Sequence, residues 1–139
     1  MRKRVVIAAM SVLSAALLAS SAFAAEEIKI GALFPLTGPA AVSGQNCINS
    51  VLAAADFINE ANPEINAPLA AGKYVIKIVQ ADHQGKPDVA KSEAERLYNQ
   101  EGVFAIIGCY NSAATKPASA VAERAKKIFL CGCSSSAEL

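Results

Sequence analysis

Four short apolar segments, separated by three stretches with helical periodicity, constrain the fold of this chain more than any other feature. The apolar segments span residues 28–34, 74–79, 104–109 and 128–131. Each is apolar almost throughout, which is typical of strands that are buried on both faces of a parallel sheet. The length of 139 residues allows about one domain.

The stretches between these segments predict amphipathic helices. The first ends before Asn62-Pro63, because a proline ring cannot continue a helix. Pro87 opens the second helix and Pro117 marks the first turn of the third, positions that suit proline, and Gly102 suits the C-terminal cap of the second. The predicted buried positions are Ile48, Val51, Leu52, Ala55 and Ile58, then Val89, Ala90, Ala94 and Leu97, then Ala118, Val121, Ala122 and Ala125.

The order β-α-β-α-β-α-β predicts an α/β fold: an open parallel sheet with helices on both faces and right-handed crossovers. Residues 62–73 carry two prolines and are expected to form an exposed loop. Residues 134–139 look like a loop that enters a further helix. We therefore expect a truncated chain, in which the fourth strand is left at an uncovered edge of the sheet.

The first 24 residues have the three parts of a secretory signal peptide. Arg2-Lys3-Arg4 forms a charged start, Val5 to Leu18 is an apolar run, and Ala22-Phe23-Ala24 offers small residues to a signal peptidase. The alternative is a membrane anchor, but the run is short for a span of roughly 20 residues. We expect cleavage after Ala24 and a periplasmic mature chain.

Charge argues against nucleic acid as a partner. Without the three basic residues of the signal peptide, the 13 basic residues of the chain fall to 10, against 12 acidic residues. A nucleic-acid-binding domain usually carries a strongly basic surface. The mature chain is instead slightly acidic, so no nucleic-acid partner is expected.

Catalytic chemistry has little support in the sequence. His83 is the one histidine, and the G-x-S-x-G pattern of a nucleophilic serine is missing. The turn after the first strand, residues 35–44, lacks both G-x-G-x-x-G and G-x-x-x-x-G-K-[ST], the patterns of nucleotide-binding loops. We expect neither an enzyme nor a cofactor, and we interpret Asp82-His83 as a solvated loop at a strand end.

Four cysteines, Cys47, Cys109, Cys131 and Cys133, allow three full disulfide pairings. Cys131-Gly132-Cys133 is C-x-C rather than the C-x-x-C of thioredoxin-like proteins. Spacing alone does not place ligands around a zinc ion, so no metal site is predicted. The simplest interpretation is small buried side chains with room for one bridge.

Polar side chains gather in the loops that follow the first, third and fourth strands. These loops, residues 35–45, 110–116 and 132–136, meet at one edge, because the carboxyl ends of parallel strands lie together. Hydroxyls beside helix N-termini favour an anionic group such as a carboxylate, although some will simply cap helices. The side chains are Thr37, Ser43, Gln45, Asn111, Ser112, Thr115, Ser134, Ser135 and Ser136.

Several of these segments resemble one known family. Residues 28–31 followed by 35–40 are similar to its opening strand and loop, and residues 106–108 followed by Ser112 and Pro117-Ala118 are similar to its third strand and turn. Residues 131–139 resemble its fourth loop, rich in serine and alanine. The family is that of the periplasmic type I solute-binding proteins of branched-chain amino acid ABC transporters, the leucine-binding group.

The resemblance implies two lobes that close on an amino acid, with residues 25–139 as the first part of the N-terminal lobe. It implies that Ser112 binds the ligand carboxylate, that the carbonyl of Cys133 accepts from the ammonium, and that Ser135 contacts both ends. The acidic partner of the ammonium is expected in the second lobe. Ser134, Ser43 and Tyr110 complete the candidate site; Ser43 stands where members often carry an aromatic residue.

The implied function is a monomeric receptor that delivers an amino acid to a membrane permease. Gly108-Cys109-Tyr110 with Ser112-Ala113 also resembles amide- and urea-binding members, which leaves the ligand open. Further alternatives are the ligand-binding domain of a membrane sensor and an extracytoplasmic thiol protein or enzyme. A cysteine bridge of some members is not carried over, because the matching positions are Gly85 and Asn111. The family's strand order instead suggests a Cys47–Cys109 bridge.

Overall fold

The structure, a computed structural model, describes residues 25–60 and 74–136. Strands and helices alternate as predicted. None of the helices in these ranges is long and apolar enough to cross a membrane. The predicted signal peptide and its cleavage site, the Asn62-Pro63 helix stop and the predicted loop 62–73 lie outside the described residues. The elements are β1 (Glu26–Phe34), α1 (Ala41–Asn59), β2 (Tyr74–Asp82), α2 (Pro87–Asn99), β3 (Ala105–Gly108), α3 (Ser112–Ala125) and β4 (Ile128–Leu130).

The four strands form one parallel sheet in the order β2-β1-β3-β4. β1 pairs with β2 along its whole length, from Glu26 opposite Tyr74 to Phe34 opposite Asp82. On its other side, the second half of β1 pairs with β3, where Leu33 lies opposite Gly108. The expected parallel α/β sheet is confirmed, with strands one and three as neighbours. The chain moves to one side of β1 and then to the other, so the strand order reverses between β1 and β3.

Alternate residues of β1 face two separate cores. Ala32 and Phe34 pack against Ile48 of α1 on one side of the sheet, which we call the α1 face. Leu33 packs on the opposite side, the α2–α3 face, with Leu97 and Ile106. There α2 and α3 contact each other through small side chains, which allow the two backbones to approach closely. These alanines are Ala90, Ala94, Ala114, Ala118 and Ala122.

One predicted helix start and one predicted loop boundary were wrong. α3 begins at Ser112, so Pro117 lies inside the helix rather than in its first turn. The carbonyl of Asn111 already accepts from the N–H groups of Ala114 and Thr115, which lets the helix start early at the cost of one backbone bond at the proline. The helix carries Ala125 past the core, where it is exposed. α1 begins at Ala41, so the first polar loop is shorter than expected.

β4 is less buried than a strand covered on both faces. Ile128 and Leu130 are 47% and 54% exposed, because α1 is the only helix on its face among the described residues and it covers β1 and β2. In the part of the chain that the structure describes, β4 is the outer strand on its side of the sheet. β4 is nevertheless held in place, since the hydroxyl of Tyr98 in α2 donates to the Ile128 carbonyl at 2.8 Å. That bond fixes the start of β4 beside α2.

Gly44 sets how closely α1 approaches the end of β1. A Cβ atom at this position would lie 2.1 Å from the Pro35 carbonyl oxygen, far inside contact distance. The atom it would meet belongs to the backbone, so a side-chain rotation cannot relieve the overlap. A larger residue would push the first turn of α1 away from the sheet.

We predict that Gly44→Ala destabilises the protein by roughly 1–3 kcal/mol, through overpacking. Without this contact the same change would stabilise the protein, because Ala is favoured over Gly inside a helix by up to about 1 kcal/mol. Urea unfolding measures the difference. Gly132→Ala is the matched control: its added Cβ meets no atom within 4 Å, so a change within about 0.5 kcal/mol is expected. A Gly44→Ala protein as stable as the control would contradict the close approach.

Candidate functional site

The ends of β1 and β3 meet at the point where the strand order reverses. Gly108, the last residue of β3, has a φ of +153°, and a Cβ there would lie 2.2 Å from the Leu33 carbonyl oxygen. Only glycine fits this contact, which brings the residues that follow β3 beside the end of β1. Ligands of open α/β sheets bind at such a reversal, outside the carboxyl ends of the strands.

The start of α3 lies at this edge. Asn111 has an extended conformation, and its carbonyl accepts from the N–H groups of Ala114 at 3.1 Å and Thr115 at 3.0 Å. The N–H groups of Ser112 and Ala113 precede the first backbone bond of the helix, so they have no intrahelical acceptor. The half-buried Ser112 hydroxyl lies beside them, and together these groups form a positively polarised corner.

Residues 131–136, which we call the β4 loop, are tied to α3. The Ser134 hydroxyl lies 2.5 Å from the Thr115 hydroxyl and donates to the Cys109 carbonyl at 3.4 Å. The N–H of Ser136 donates to the Ser112 hydroxyl at 3.3 Å. These bonds join the loops after β3 and β4 into one surface, with Ser112 at the junction.

Residues 35–40, the β1 loop, are held by one carboxylate. Asp82 at the end of β2 accepts from the N–H groups of Leu36 at 2.8 Å, Thr37 at 3.3 Å and Gln84 at 2.8 Å, and from the Thr37 hydroxyl at 2.5 Å. Burial alone raises the pKa of Asp82, but these hydrogen bonds outweigh it and leave the pKa below its usual 3.8. The Thr37 hydroxyl is thereby engaged in holding the loop.

The structure brings most of the predicted site residues to one surface. Cys133, Ser134 and Ser135 share the β4 loop, which contacts Ser112, and the partly exposed Tyr110 lies just before α3. The structure places Ser43 in the first turn of α1 instead of a loop, at the neighbouring strand end. Sequence reasoning missed Asp82 as the residue that organises the β1 loop; its position at a strand end, two residues before Gln84, is compatible with an Asx-type turn.

A family model described as "Periplasmic binding protein" matches residues 27–139. The chain belongs to the periplasmic binding protein family. A "Leu/Ile/Val-binding protein homolog 7" from Brucella suis is 35% identical over 111 residues. An "Amino acid binding protein" from Pseudomonas aeruginosa is 32% identical over 110 residues. These alignments cover 80% and 79% of this chain, but only 26% and 28% of the relatives.

Solved structures of the family share the fold. The branched-chain amino acid transporter substrate binding protein LivJ from Streptococcus pneumoniae, in complex with isoleucine, superposes with a TM-score of 0.70 at 28% identity. The match covers 81% of this chain and 30% of that one. This periplasmic binding protein chain therefore spans a quarter to a third of the length of the relatives it matches. The resemblance to the leucine-binding group is confirmed, and with it a lobe of the type I fold.

The suggested Cys47–Cys109 bridge is wrong for this binding protein chain. All four cysteines are free thiols in the structure. Cys109 is buried in the core of the α2–α3 face, whereas Cys47 packs on the α1 face, so the sheet separates them. Within residues 25–60 and 74–136, no group of three or more His, Cys, Asp or Glu residues could hold a metal ion.

His83 is fully buried, so the expectation of a solvated Asp82-His83 loop was wrong. The ring packs under the turn into α2, and its Nδ1 accepts from the N–H of Gly85 at 3.1 Å. Burial lowers the pKa of His83, and this outweighs the attraction of the Asp82 carboxylate. A lone histidine between a strand and a helix has no periodic pattern that could have signalled its burial.

We predict that Asp82→Asn costs about 1.5–3 kcal/mol of stability at pH 7, because hydrogen bonds to a charged acceptor are lost or weakened. The pKa of Asp82 is lower in the folded protein than in the unfolded chain, so the ionised carboxylate stabilises the fold at any pH above its ordinary pKa. This stabilisation is lost as the pH falls through the pKa of the folded protein. The parent should therefore lose more stability than the variant between about pH 5 and pH 3.

Urea unfolding across this pH range provides the measurement. Asp56→Asn, a matched change on the exposed side of α1, should leave the parent's pH dependence intact. Parallel pH profiles for the parent and Asp82→Asn would show that Asp82 does not hold the β1 loop through its charge.

Proposed function

We propose that residues 25–139 form the first part of the N-terminal lobe of an extracytoplasmic receptor that binds a branched-chain amino acid and delivers it to an ABC permease. The names of the relatives and the isoleucine complex of a structural neighbour support this ligand class. The observation that carries the proposal is the junction at Ser112. There a helix start, a hydroxyl and the β4 loop meet at the reversal of strand order.

The carboxylate of the amino acid binds at the start of α3 in this proposal. Unbonded N–H groups and the partial positive charge of a helix start favour an anion. The Ser112 hydroxyl accepts from the N–H of Ser136, which leaves its own hydrogen available to donate to a carboxylate oxygen. A charge-assisted hydrogen bond of this kind is roughly twice as strong as a neutral one.

The ammonium group binds against the β4 loop. The Cys133 carbonyl is the proposed acceptor, and the exposed Ser135 hydroxyl can serve either end of the ligand. The Ser134 hydroxyl is engaged with Thr115 and Cys109, so it supports the position of the loop. Tyr110 and Ser43 stand at the rim, where they can contact the ligand side chain.

Binding rather than catalysis is the function that these groups serve. The edge presents neutral hydroxyls and backbone N–H groups, which recognise a zwitterion without reacting with it. The histidine is buried at the end of β2, with Nδ1 occupied by the N–H of Gly85. The family itself is one of solute-binding proteins.

In the receptor with both lobes, we expect Ser112→Ala to weaken L-isoleucine binding about ten- to a hundredfold, the loss of a charge-assisted hydrogen bond worth roughly 1.5–3 kcal/mol. Isothermal titration calorimetry provides the measurement. Isoleucinamide, which lacks the anionic carboxylate, should bind the parent more weakly and lose less affinity in the variant.

Ser119→Ala is the matched control, since Ser119 lies in the same helix and bonds only to the Lys116 carbonyl among the described contacts. The Ser119→Ala receptor should bind L-isoleucine with the same affinity as the parent. Equal affinity of Ser112→Ala and the parent would show that the carboxylate binds elsewhere. A parent that prefers small amides or urea over amino acids would identify the amide-binding alternative.

Secretion is tested separately. The proposed signal peptide predicts that the protein recovered from the periplasm begins at Ala25, as read by N-terminal sequencing or intact mass. Ala24→Leu should block cleavage, because signal peptidase requires a small residue before the scissile bond. A periplasmic protein that retains Met1 would contradict the assignment.

A further inference from the structure

The two cysteines of the β4 loop each meet a second cysteine, on opposite faces of the sheet. Leu130, the last residue of β4, lies opposite Ile107 and faces the α1 side. Because successive strand residues alternate between faces, Cys131 turns to the α2–α3 face. Cys133 reaches the α1 face. In a continuing strand Cys131 and Cys133 would share one face, but β4 ends at Leu130 and the chain bends at residues 132–133, so the two thiols lie on opposite sides of the sheet.

Cys131 meets Cys109 on the α2–α3 face. Cys109 is fully buried in the core there. Burial and the nearby Cys131 raise the pKa of Cys109, whereas the Thr115 hydroxyl acts to lower the pKa of both thiols. β3 and β4 are paired as far as Ile107 and Leu130, two residues before Cys109 and one before Cys131, so both thiols follow neighbouring strand ends.

Cys133 meets Cys47 on the α1 face. Both line a cleft of about 280 Å³ whose walls also include Phe34 and Gly108. Burial and the neighbouring Cys133 thiol both raise the pKa of Cys47, as expected for two thiols that share this cleft. Cys133 is exposed and Cys47 is half-buried, so an oxidant can reach this pair from solvent.

We propose that oxidation converts these pairs into two disulfides, Cys47–Cys133 and Cys109–Cys131, which fasten the β4 loop to both faces of the sheet. The second of the three full pairings would join Cys47 to Cys109 across the sheet. It would also join Cys131 to Cys133 across one intervening residue, which is strained. The third, Cys47–Cys131 with Cys109–Cys133, would cross the sheet twice.

Each bridge forms by two exchange steps with a low-molecular-weight disulfide such as oxidised glutathione. A protein thiol loses its proton, and the thiolate attacks one sulfur of the oxidant; the S–S bond of the oxidant breaks, a mixed disulfide forms, and one glutathione thiolate leaves and takes up a proton. The second protein thiolate then attacks the protein sulfur of the mixed disulfide and releases the second glutathione. Two protein thiols are oxidised and one disulfide is reduced to two thiols.

The local environment indicates which thiol reacts first on the α2–α3 face. Burial raises the pKa of Cys131, but hydrogen bonds from Ser134, the Cys133 backbone and Thr115 outweigh it and hold the pKa below its usual value. Burial raises the pKa of Cys109 to about 12. The exposed Cys131 therefore attacks the oxidant, and Cys109 completes the bridge slowly, since the thiolate is the nucleophile. We expect the Cys47–Cys133 bridge to form faster.

The test compares matched and mismatched thiol pairs in the folded mature protein. Cys109→Ala/Cys131→Ala leaves only Cys47 and Cys133, and Cys47→Ala/Cys133→Ala leaves only Cys109 and Cys131. The mismatched variants, Cys47→Ala/Cys131→Ala and Cys109→Ala/Cys133→Ala, leave thiols on opposite faces. Each is incubated with oxidised glutathione, alkylated and digested with trypsin, which cuts at Lys73, Arg96 and Lys127 and separates the three cysteine-bearing segments.

We expect cross-linked peptides from both matched variants and alkylated thiols or glutathione adducts from both mismatched ones. In urea, where no sheet separates the thiols, each matched variant should cross-link to the same extent as the mismatched variant of similar loop length: Cys47–Cys133 with Cys47–Cys131, and Cys109–Cys131 with Cys109–Cys133. The parent provides a measurement that needs no substitution: after oxidation it should lose all four alkylatable thiols and gain no glutathione. A parent that retains four alkylatable thiols, or mismatched variants that cross-link as readily as matched ones when folded, would overturn the proposal. If the oxidised parent forms only one of the two bridges, the assignment of the bridge that does not form is wrong.

Discussion

Parallel pairing of β1 with strands on both of its sides is the constraint on which the rest of the structure depends. It places the strand between two cores, so that Leu33 and Phe34 must bury in opposite directions. It also places the second strand on one side of β1 and the third on the other. The loops after β1 and β3 therefore lead to opposite faces of the sheet and leave a crevice between them. The contact between Gly108 and the Leu33 carbonyl fixes the spacing of those two loops. The candidate site is thus a consequence of the strand order.

Much of this fold could be predicted from the sequence, because burial on both faces leaves a strong local signal. The apolar segments around Ile30, Ile76 and Ile106 are strands, and Ile48 and Leu97 lie on helical faces that pack on them as expected. The edge of the sheet that carries the polar side chains could also be predicted, since parallel strands all end on one side. These inferences need only periodicity and connectivity.

Other features depend on contacts between distant residues, which periodicity does not report. Pro117 predicted a helix start by its local preference, but the Asn111 carbonyl lets the helix begin at Ser112, five residues before that proline. Polarity predicted a solvated His83, but the turn between β2 and α2 encloses it. The family's strand order suggested a Cys47–Cys109 bridge, yet the two thiols lie on opposite sides of the sheet.

Polar side chains at this edge can hold the loops in place or donate to a ligand, and the hydrogen bonds of the structure distinguish the two roles. The hydroxyls of Thr37, Thr115 and Ser134 are consumed in holding loops, through Asp82 and through each other. A hydroxyl engaged in this way stiffens the surface but has less capacity for a ligand. Ser112 differs because its partner is a backbone N–H, which uses its oxygen and leaves its hydrogen available. In the site that we propose, Ser112 is therefore the hydroxyl whose hydrogen is left to donate to a polar ligand.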